Sequence, residues 1–288
     1  MQAVILLLRI LSHLPLSVLY LLADGLAWAL RDVFRYRREV VDLNLRRSFP
    51  DKNKEERRLI MREFYSYLAD VMIETIKLHS ISADVLRERV VFKEPQLLQQ
   101  LADQGKNVIL LMGHAGNWEW AGCVTSIDFG IHVLPVYRKV KNDSMDRYFQ
   151  ALRSRFGATP ILDKDAFRLI KGQPSPHAVA LLADHTPGAE KGLWIQFLDQ
   201  QAPFYRGTEV LLKRLDYEVL FAHVRKTGRG RYQIHFEPCK TTGTNDFEVT
   251  RAFVEFLERE IYEQPFNWLW SHKRWKHRKP ERAISIER

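Results

Sequence analysis

Residues 107–122 read NVILLMGHAGNWEWAG, and this stretch indicates the fold most directly. Residues 107–112, which are apolar from Val108 onward, have the length and composition of a strand buried on both faces of a sheet. Gly113 permits a tight turn after the strand, and Asn117 is a suitable N-cap for a following helix. A strand, a turn and a helix in this order are typical of an α/β fold. His114 is therefore predicted at the carboxyl edge of the sheet, where open α/β folds bind ligands.

Short β-branched runs alternate with helical stretches on both sides of this segment. We predict further strands at residues 132–137, 178–183, 219–224 and 232–236. We predict helices at residues 38–47, 51–79, 96–103, 118–126, 144–156, 166–171, 206–215 and 247–262. The fold class that follows is α/β, with a mixed, mainly parallel sheet flanked by helices.

The chain begins with an apolar segment, residues 3–30, that indicates contact with a membrane. Its longest run without a charged side chain, residues 10–23, is shorter than the roughly 20 apolar residues of a spanning helix. Insertion into the interface and a true span therefore both stay open. Basic residues that follow favour the cytoplasmic side of a membrane and its anionic headgroups: Arg31, Arg35, Arg37 and Arg38. We predict an N-terminal membrane anchor helix with its basic flank at residues 1–38 and a catalytic domain at residues 39–288.

A cleaved signal peptide is the competing interpretation of this N-terminus. Ala27 and Ala29 resemble the small residues of a cleavage site, but Asp24 interrupts the apolar segment. The chain has two cysteines, Cys123 and Cys239, which are too few for a disulfide framework. Their number favours a reducing compartment for the catalytic part.

Charge and motif content narrow the classes of function. The net charge of +9 suits nucleic acid, anionic lipid headgroups or an acidic carrier protein. No nucleic-acid-binding motif is recognisable, and such a function would leave the apolar N-terminus unexplained, so we predict no nucleic-acid partner. The sequence also lacks GxSxG, P-loop and GxGxxG motifs. Their absence argues against a serine hydrolase, a Walker-type NTPase and a dinucleotide-dependent enzyme. Without a dense cluster of His, Cys and Asp residues, we predict no metal and no cofactor.

His114 and Glu119 are the pair that suggests catalysis. A turn between them would bring the carboxylate to the imidazole, giving a general base and the group that orients it. From spacing alone a structural or surface contact stays open. Three further segments help to decide between a catalytic pair and a structural contact: residues 135–157, residues 183–192 with the hydrophobic stretch 194–198, and the aromatic and basic run 267–275.

Taken together, these features resemble the bacterial lipid A biosynthesis acyltransferases of the late, lauroyl/myristoyl type, a branch of the lysophospholipid acyltransferase superfamily. The resemblance covers nearly the whole chain. It rests on the N-terminal apolar helix, the H-x4-E motif at His114 and Glu119, the strand end at Tyr137 and Arg138, the loop 184–188 and the WLWSHKRWK tail at 268–276. It implies a fold like that of the glycerolipid acyltransferases.

The resemblance also implies roles for individual residues. His114 is expected to act as general base with Glu119 as its partner. Arg153 is expected near the reacting carbonyl or a substrate phosphate, and Asp184 corresponds to the aspartate in the loop before a Pro-Gly turn. Arg138 is a candidate phosphate contact, because arginine binds phosphate bidentately. Three more residues are candidates for substrate binding: Asn117, Gly188 and Lys191.

The implied reaction moves a fatty acyl chain from an acyl carrier protein thioester to a hydroxyl of a lipid A precursor, without a covalent enzyme intermediate. Acyl-coenzyme A stays open as the donor, since both donors are acidic. The partners expected are acyl carrier protein, the lipid acceptor and the anionic inner-membrane surface. A lysophospholipid or aminoacyl lipid acceptor and a non-catalytic lipid-binding relative are the alternatives. His185 and Thr186 stand where many members carry Gln with Asn or Asp, a departure that concerns the fit of donor and acceptor.

Overall fold

A computed structural model describes residues 1–241 and 247–286. Its main element is a seven-stranded sheet with the order β1-β9-β8-β2-β5-β3-β4, in which only β8 and β9 pair antiparallel. The strands of this sheet are β1 (Val90–Lys93), β2 (Val108–Met112), β3 (His132–Tyr137), β4 (Ile161–Leu162), β5 (His177–Leu182), β8 (Glu218–Gly228) and β9 (Arg231–Pro238). A separate antiparallel hairpin consists of β6 (Leu193–Phe197) and β7 (Gln200–Phe204).

Helices cover both faces of the sheet. They are α1 (Gln2–Ser12), α2 (Leu16–Trp28), α3 (Arg38–Ser48), α4 (Lys54–Lys77), α5 (Ala83–Arg89), α6 (Gln96–Asp103), α7 (Trp118–Asp128), α8 (Asp143–Ser154), α9 (Ala166–Lys171), α10 (Gly207–Leu212) and α11 (Glu248–Glu263). A short π-helical turn, Ala29–Val33, follows α2, and 3-10 turns lie at Asp163–Asp165 and Pro265–Asn267. The predicted α/β class with a mixed, mainly parallel sheet is confirmed.

Strand β2 lies at the centre of the core, and all five of its residues are buried. Because successive side chains of a strand point to opposite faces, β2 contributes to two apolar layers. Ile109 and Leu111 pack in the layer that contains α4 and α11, whereas Leu110 packs in the layer that contains α7. Burial on both faces explains why the strand reads as a continuous hydrophobic run.

The β6–β7 hairpin was not predicted from the sequence. Its two-residue connection, Leu198 and Asp199, has positive φ angles of 48° and 59°. Such turns usually carry Asn-Gly or Asp-Gly, so Leu-Asp gives no turn signal. The strained turn is held by a hydrogen bond from the backbone N–H of Leu198 to Oε1 of Glu258 at 2.5 Å.

The N-terminal segment forms two helices where the sequence predicted one. Pro15 precedes the first residue of α2, and it separates this helix from α1 because proline has no N–H to continue the helical hydrogen bonding. Leu19 and Ala23 of α2 pack on Ala69 and Ile73 of α4. Among the described residues, no helix combines the length and the apolar character needed to cross a membrane.

Candidate active site

The candidate active site lies at the carboxyl ends of three neighbouring parallel strands. Met112 in β2 pairs with Leu182 in β5. His114 and Asp184 each follow two residues after this pair, so the register brings them together at the edge of the sheet. β3 lies on the other side of β5, and Arg138 follows its last residue.

Asp184 holds both the ring and the backbone of His114. Its Oδ1 lies 2.5 Å from Nδ1 of the ring, and its Oδ2 accepts the backbone N–H of His114 at 2.8 Å. Oδ2 also accepts a hydrogen bond from Nε1 of Trp268 at 2.8 Å. Burial alone would raise the pKa of Asp184, but attraction to His114 and the hydrogen bonds from it hold that pKa below its ordinary value. An ionised Asp184 accepts the proton of Nδ1, which leaves Nε2 as the ring atom that can take a proton.

Two glycines allow the turn around His114 to pack this closely. At Gly113 an added Cβ would lie 2.5 Å from Cδ1 of Leu257. At Gly116, where φ is +61°, an added Cβ would lie 2.2 Å from the backbone oxygen of Val224. A side chain at Gly116 would therefore be excluded by both backbone strain and a backbone clash. The turn also receives a hydrogen bond from the Tyr67 hydroxyl to the Gly116 oxygen at 2.7 Å.

Glu119 is paired with Arg153. The Arg153 guanidinium donates from Nε and Nη2 to the two carboxylate oxygens, at 2.9 and 2.5 Å. The side chains are 11% and 22% exposed, so solvent reaches the pair only in part. Burial alone would lower the pKa of Arg153, but the charge of Glu119 and its hydrogen bonds raise it. Arg153 also lies over the Tyr137 ring, 5.6 Å from its centroid.

The predicted contact between Glu119 and the His114 ring is corrected by this geometry. Asp184 binds Nδ1 of His114, whereas Glu119 binds Arg153. The sequence placed all four residues in one site but could not assign the partners, because His114 and Asp184 meet only through strand pairing. Catalytic roles for Glu119 and Arg153 stay predictions.

Asn117 is the N-cap of α7, as its position before the helix predicted. Its Oδ1 accepts the N–H of Trp120 at 2.9 Å, and its Nδ2 donates to Oε2 of Glu74 at 2.7 Å. The side chain is fully buried. The amide is therefore engaged inside the protein, and the substrate-binding role of Asn117 stays a prediction.

Glu74 of α4 is a buried carboxylate that the sequence analysis missed. Besides Asn117, it accepts the hydroxyls of Tyr20 at 2.9 Å and Tyr232 at 2.7 Å. Burial raises the pKa of Glu74 to about 7, although these hydrogen bonds oppose the shift. The signal was an acidic residue on the apolar face of a helix, spaced by three and seven residues from Val71 and Tyr67.

The predicted substrate-binding residues Arg138, Gly188 and Lys191 lie in or beside the loop that follows β5. The Arg138 side chain is 69% exposed, and it donates to Oδ2 of Asp163 at 3.2 Å and to the Tyr205 hydroxyl at 2.8 Å. Gly188 and Lys191 are joined by a backbone hydrogen bond of 3.0 Å. Their binding roles stay predictions.

Comparison with known proteins identifies the family. The model of the family described as bacterial lipid A biosynthesis acyltransferase matches residues 1–277. This chain belongs to that family. A lipid A biosynthesis lauroyltransferase of Escherichia coli strain K12 is 24% identical over 274 residues, which are 92% of this chain and 88% of that protein. A lipid A biosynthesis acyltransferase of Haemophilus influenzae is 21% identical over 233 residues, which are 79% of this chain and 72% of that protein.

The C-terminal aromatic and basic run of this acyltransferase contacts the loop that carries Asp184. Arg274 is fully buried, and its guanidinium lies over the rings of Phe204 and Phe197, 4.2 and 5.5 Å from their centroids. It donates to Oγ1 of Thr186 at 3.2 Å, beside Asp184. Burial lowers the pKa of Arg274 to about 9. Arg274, a member of the aromatic and basic run 267–275, is therefore an interior cation.

Proposed function

We propose that this acyltransferase moves a fatty acyl chain from an acyl carrier protein thioester to a hydroxyl of a lipid A precursor, with His114 as the general base. The observation that carries the proposal is the contact between His114 and Asp184. A buried carboxylate holds Nδ1 at 2.5 Å while the side chain stays 12% exposed, so Nε2 is left as the ring nitrogen for proton transfer. Membership of the family supports the class of acceptor.

The reaction then proceeds in two steps. The acceptor hydroxyl loses its proton to Nε2 of His114 as its oxygen bonds to the thioester carbonyl carbon. The tetrahedral intermediate collapses, the carbon–sulfur bond breaks, and the thiolate of the carrier takes the proton from His114. The negative charge of Asp184 stabilises the imidazolium between the two steps, because opposite charges in a poorly solvated site attract strongly.

Arg153 is our candidate for stabilising negative charge on the substrate. Glu119 fixes its guanidinium with two hydrogen bonds, so the cation is oriented before substrate arrives. A group placed in this way at a tetrahedral oxyanion contributes roughly 3 kcal/mol to the transition state. Contact with a phosphate of the acceptor is the alternative role, and Arg138 is our candidate for a second phosphate contact.

The N-terminal helices supply a surface for binding a membrane. α2 buries one side against α4, and large apolar side chains remain exposed on the other sides of the two helices: Val4, Leu6, Leu7, Ile10, Val18, Leu21, Leu22 and Trp28. Arg31, Arg35, Arg37 and Arg38 follow, and they favour anionic headgroups. Helices of this kind lie in the interface plane, so we propose that the enzyme rests on the cytoplasmic face of the bacterial inner membrane.

The donor is proposed from charge. The net charge of +9 attracts an acidic carrier protein to the enzyme surface and raises the rate of encounter. Acyl-coenzyme A is attracted by the same charge, so a direct comparison of the two donors separates them.

The test is acyl transfer from acyl carrier protein thioesters, with acyl-coenzyme A as second donor, to a panel of lipid A precursors, lysophospholipids and aminoacyl lipids. We expect a lipid A precursor to be acylated, and His114→Ala to lose at least about 100-fold in rate. His132→Ala is the matched control, because His132 begins β3 at the opposite edge of the sheet. Full activity of His114→Ala would overturn the mechanism, and acylation of lysophospholipids alone would overturn the acceptor.

A further inference from the structure

Three imidazole rings are stacked beside the catalytic edge. The rings of His114 and His185 are nearly parallel, with an interplanar angle of 6° and centroids 3.8 Å apart. The ring of His272 follows His185 at 4.3 Å with an angle of 21°. The Trp118 ring meets His114 at 73° and 5.1 Å. The column therefore links the C-terminal run to the proposed general base through His185.

The hydrogen bonds indicate that the rings of His185 and His272 are neutral. The backbone N–H of Thr186 donates to Nε2 of His272 at 3.2 Å, so this nitrogen is an acceptor and carries no proton. Nε2 of His185 is buried and has no hydrogen-bond partner among the described residues. A protonated His185 would thus leave a charged N–H unsatisfied in the interior, which is costly.

On balance, burial and the neighbouring charges also favour the neutral form of His185. Burial lowers the pKa of His185 to about 4; His114, Arg274 and Arg138 add to the shift, and Asp184 opposes it. Burial likewise lowers the pKa of His272 to about 3, with His185 as the next contribution. At neutral pH one face of the His114 ring is therefore covered by the uncharged ring of His185, which in turn stacks on the uncharged ring of His272.

We propose that His185 is a positioning residue for His114: its flat, uncharged ring fixes the plane of the His114 imidazole and keeps water from one of its faces. This inference rests on the proposed function, because it assigns His185 to the base of that reaction. Asp184 holds one edge of the His114 ring through a hydrogen bond to Nδ1, but the ring can still rotate about this single bond. Stacking against His185 removes this freedom and directs Nε2 to one place at the edge of the sheet.

The experiment compares two uncharged replacements of His185 that differ in shape. His185→Phe keeps a flat ring, whereas His185→Gln has a similar volume without one. Misplacing a reacting group by about 1 Å costs up to about 100-fold. We expect His185→Gln to lower kcat by at least about tenfold with KM within about twofold, and His185→Phe to recover most of that loss. His132→Phe is the matched control, a ring substitution at the opposite edge of the sheet.

The pH dependence of kcat/KM distinguishes a positioning role from a general loss of stability, because a less stable protein keeps the same pH profile as long as it is folded. Opening one face of the His114 ring to water favours its protonated form. The acid limb of the profile is therefore expected at higher pH in His185→Gln and near the wild-type position in His185→Phe. His185→Leu, an apolar side chain without a ring, repeats the comparison if the glutamine variant does not fold, as judged by its melting temperature.

The outcomes separate the two proposals. If His114→Ala keeps full activity, the proposed function fails and this inference falls with it. If His114→Ala is inactive while His185→Gln and His185→Leu keep the wild-type kcat and pH profile, the function stands and the positioning role is overturned. Equal losses in folded His185→Phe and His185→Gln would also overturn it, since the flat ring would then not be the property that matters.

Discussion

Tyr20 in α2 donates a hydrogen bond of 2.9 Å to the buried Glu74 in α4, and Glu74 in turn binds the residue that caps α7. The apolar N-terminal helices are thereby connected by two side-chain contacts to the helix that carries Glu119. Because α7 begins immediately after the His114 turn, the same carboxylate helps to define where the candidate active site lies. Glu74 has hydroxyl and amide donors around it but no basic side chain bonded to it among the described residues.

Glu74 predicts a pH dependence of stability. Its pKa of about 7 in the folded protein exceeds the ordinary value of 4.5, so the folded state holds a proton that the unfolded state has released between these values. The stabilisation is present in full below pH 4.5 and is lost as pH rises through about 7. We expect the free energy of unfolding to decrease over this window by on the order of 3 kcal/mol more in wild type than in Glu74→Gln, which does not ionise.

Urea denaturation at several pH values measures this difference. Glu74→Gln places an amide N–H₂ among the three groups that donate hydrogen bonds to Glu74, so the variant is also expected to be less stable at every pH. Only the slope of the unfolding free energy against pH therefore tests the prediction. Equal slopes in the two proteins would mean that the three hydrogen bonds keep Glu74 ionised throughout.

The fold was largely predictable because its strands and helices carry local signals. β3, α6 and α9 have the predicted bounds, and β5, β8 and β9 differ by a few residues at their ends. β1 and β4 were missed, since each is four residues or shorter and lies at an edge of the sheet. Such strands contain too few residues for an alternation to be recognised.

The site was predictable as a set of residues but not as a set of contacts. His114, Glu119, Arg153 and Asp184 were named from motifs, yet which acid binds which base depends on the parallel register of β2 and β5. The role of His185 was beyond the sequence for the same reason. His114 and Asp184 leave the neighbouring strands β2 and β5 at the same level, and His185 comes one residue later, so its ring lies on that of His114. No local sequence pattern encodes that pairing.

Asp184→Asn is expected to abolish most activity while preserving the fold. Asparagine can donate its N–H₂ to Nδ1 of His114, which moves the ring proton to Nε2 and removes the base. The corresponding change in a catalytic triad costs roughly 10,000-fold in rate, and a loss of at least about 1,000-fold is expected here. The measurement is kcat with a fixed donor and acceptor, with the melting temperature as control for folding. A loss below about tenfold would show that the carboxylate does not set the tautomer.

Glu119 and Arg153 are expected to be energetically coupled. Removing either partner leaves a partly buried charge uncompensated, so the effects of Glu119→Ala and Arg153→Ala on stability should not add in the double variant. We expect a coupling energy of about 1–3 kcal/mol from a double-mutant cycle in urea.

The exposed pair Arg58 and Glu55 is the matched control for this cycle. Its oxygen and nitrogen lie 2.8 Å apart, but the side chains are 60% and 75% exposed. Coupling of such a pair on a helix is about 0.5 kcal/mol or less. A value as small for Glu119 and Arg153 would contradict a preformed, partly desolvated pair.

The exposed faces of α1 and α2 predict binding to lipid vesicles. Leu6 and Leu21 are 58% and 72% exposed, so replacing both with glutamine removes apolar surface without opening the core. Each buried leucine side chain contributes about 2 kcal/mol to partition, so the pair should weaken binding by at least about 100-fold. Sedimentation with vesicles containing anionic phospholipid measures this. Val91→Gln is the control, an exposed apolar residue of β1 on the main sheet. Equal binding of Leu6→Gln/Leu21→Gln and wild type at high salt, where attraction by the basic flank is screened, would contradict a membrane role for these helices.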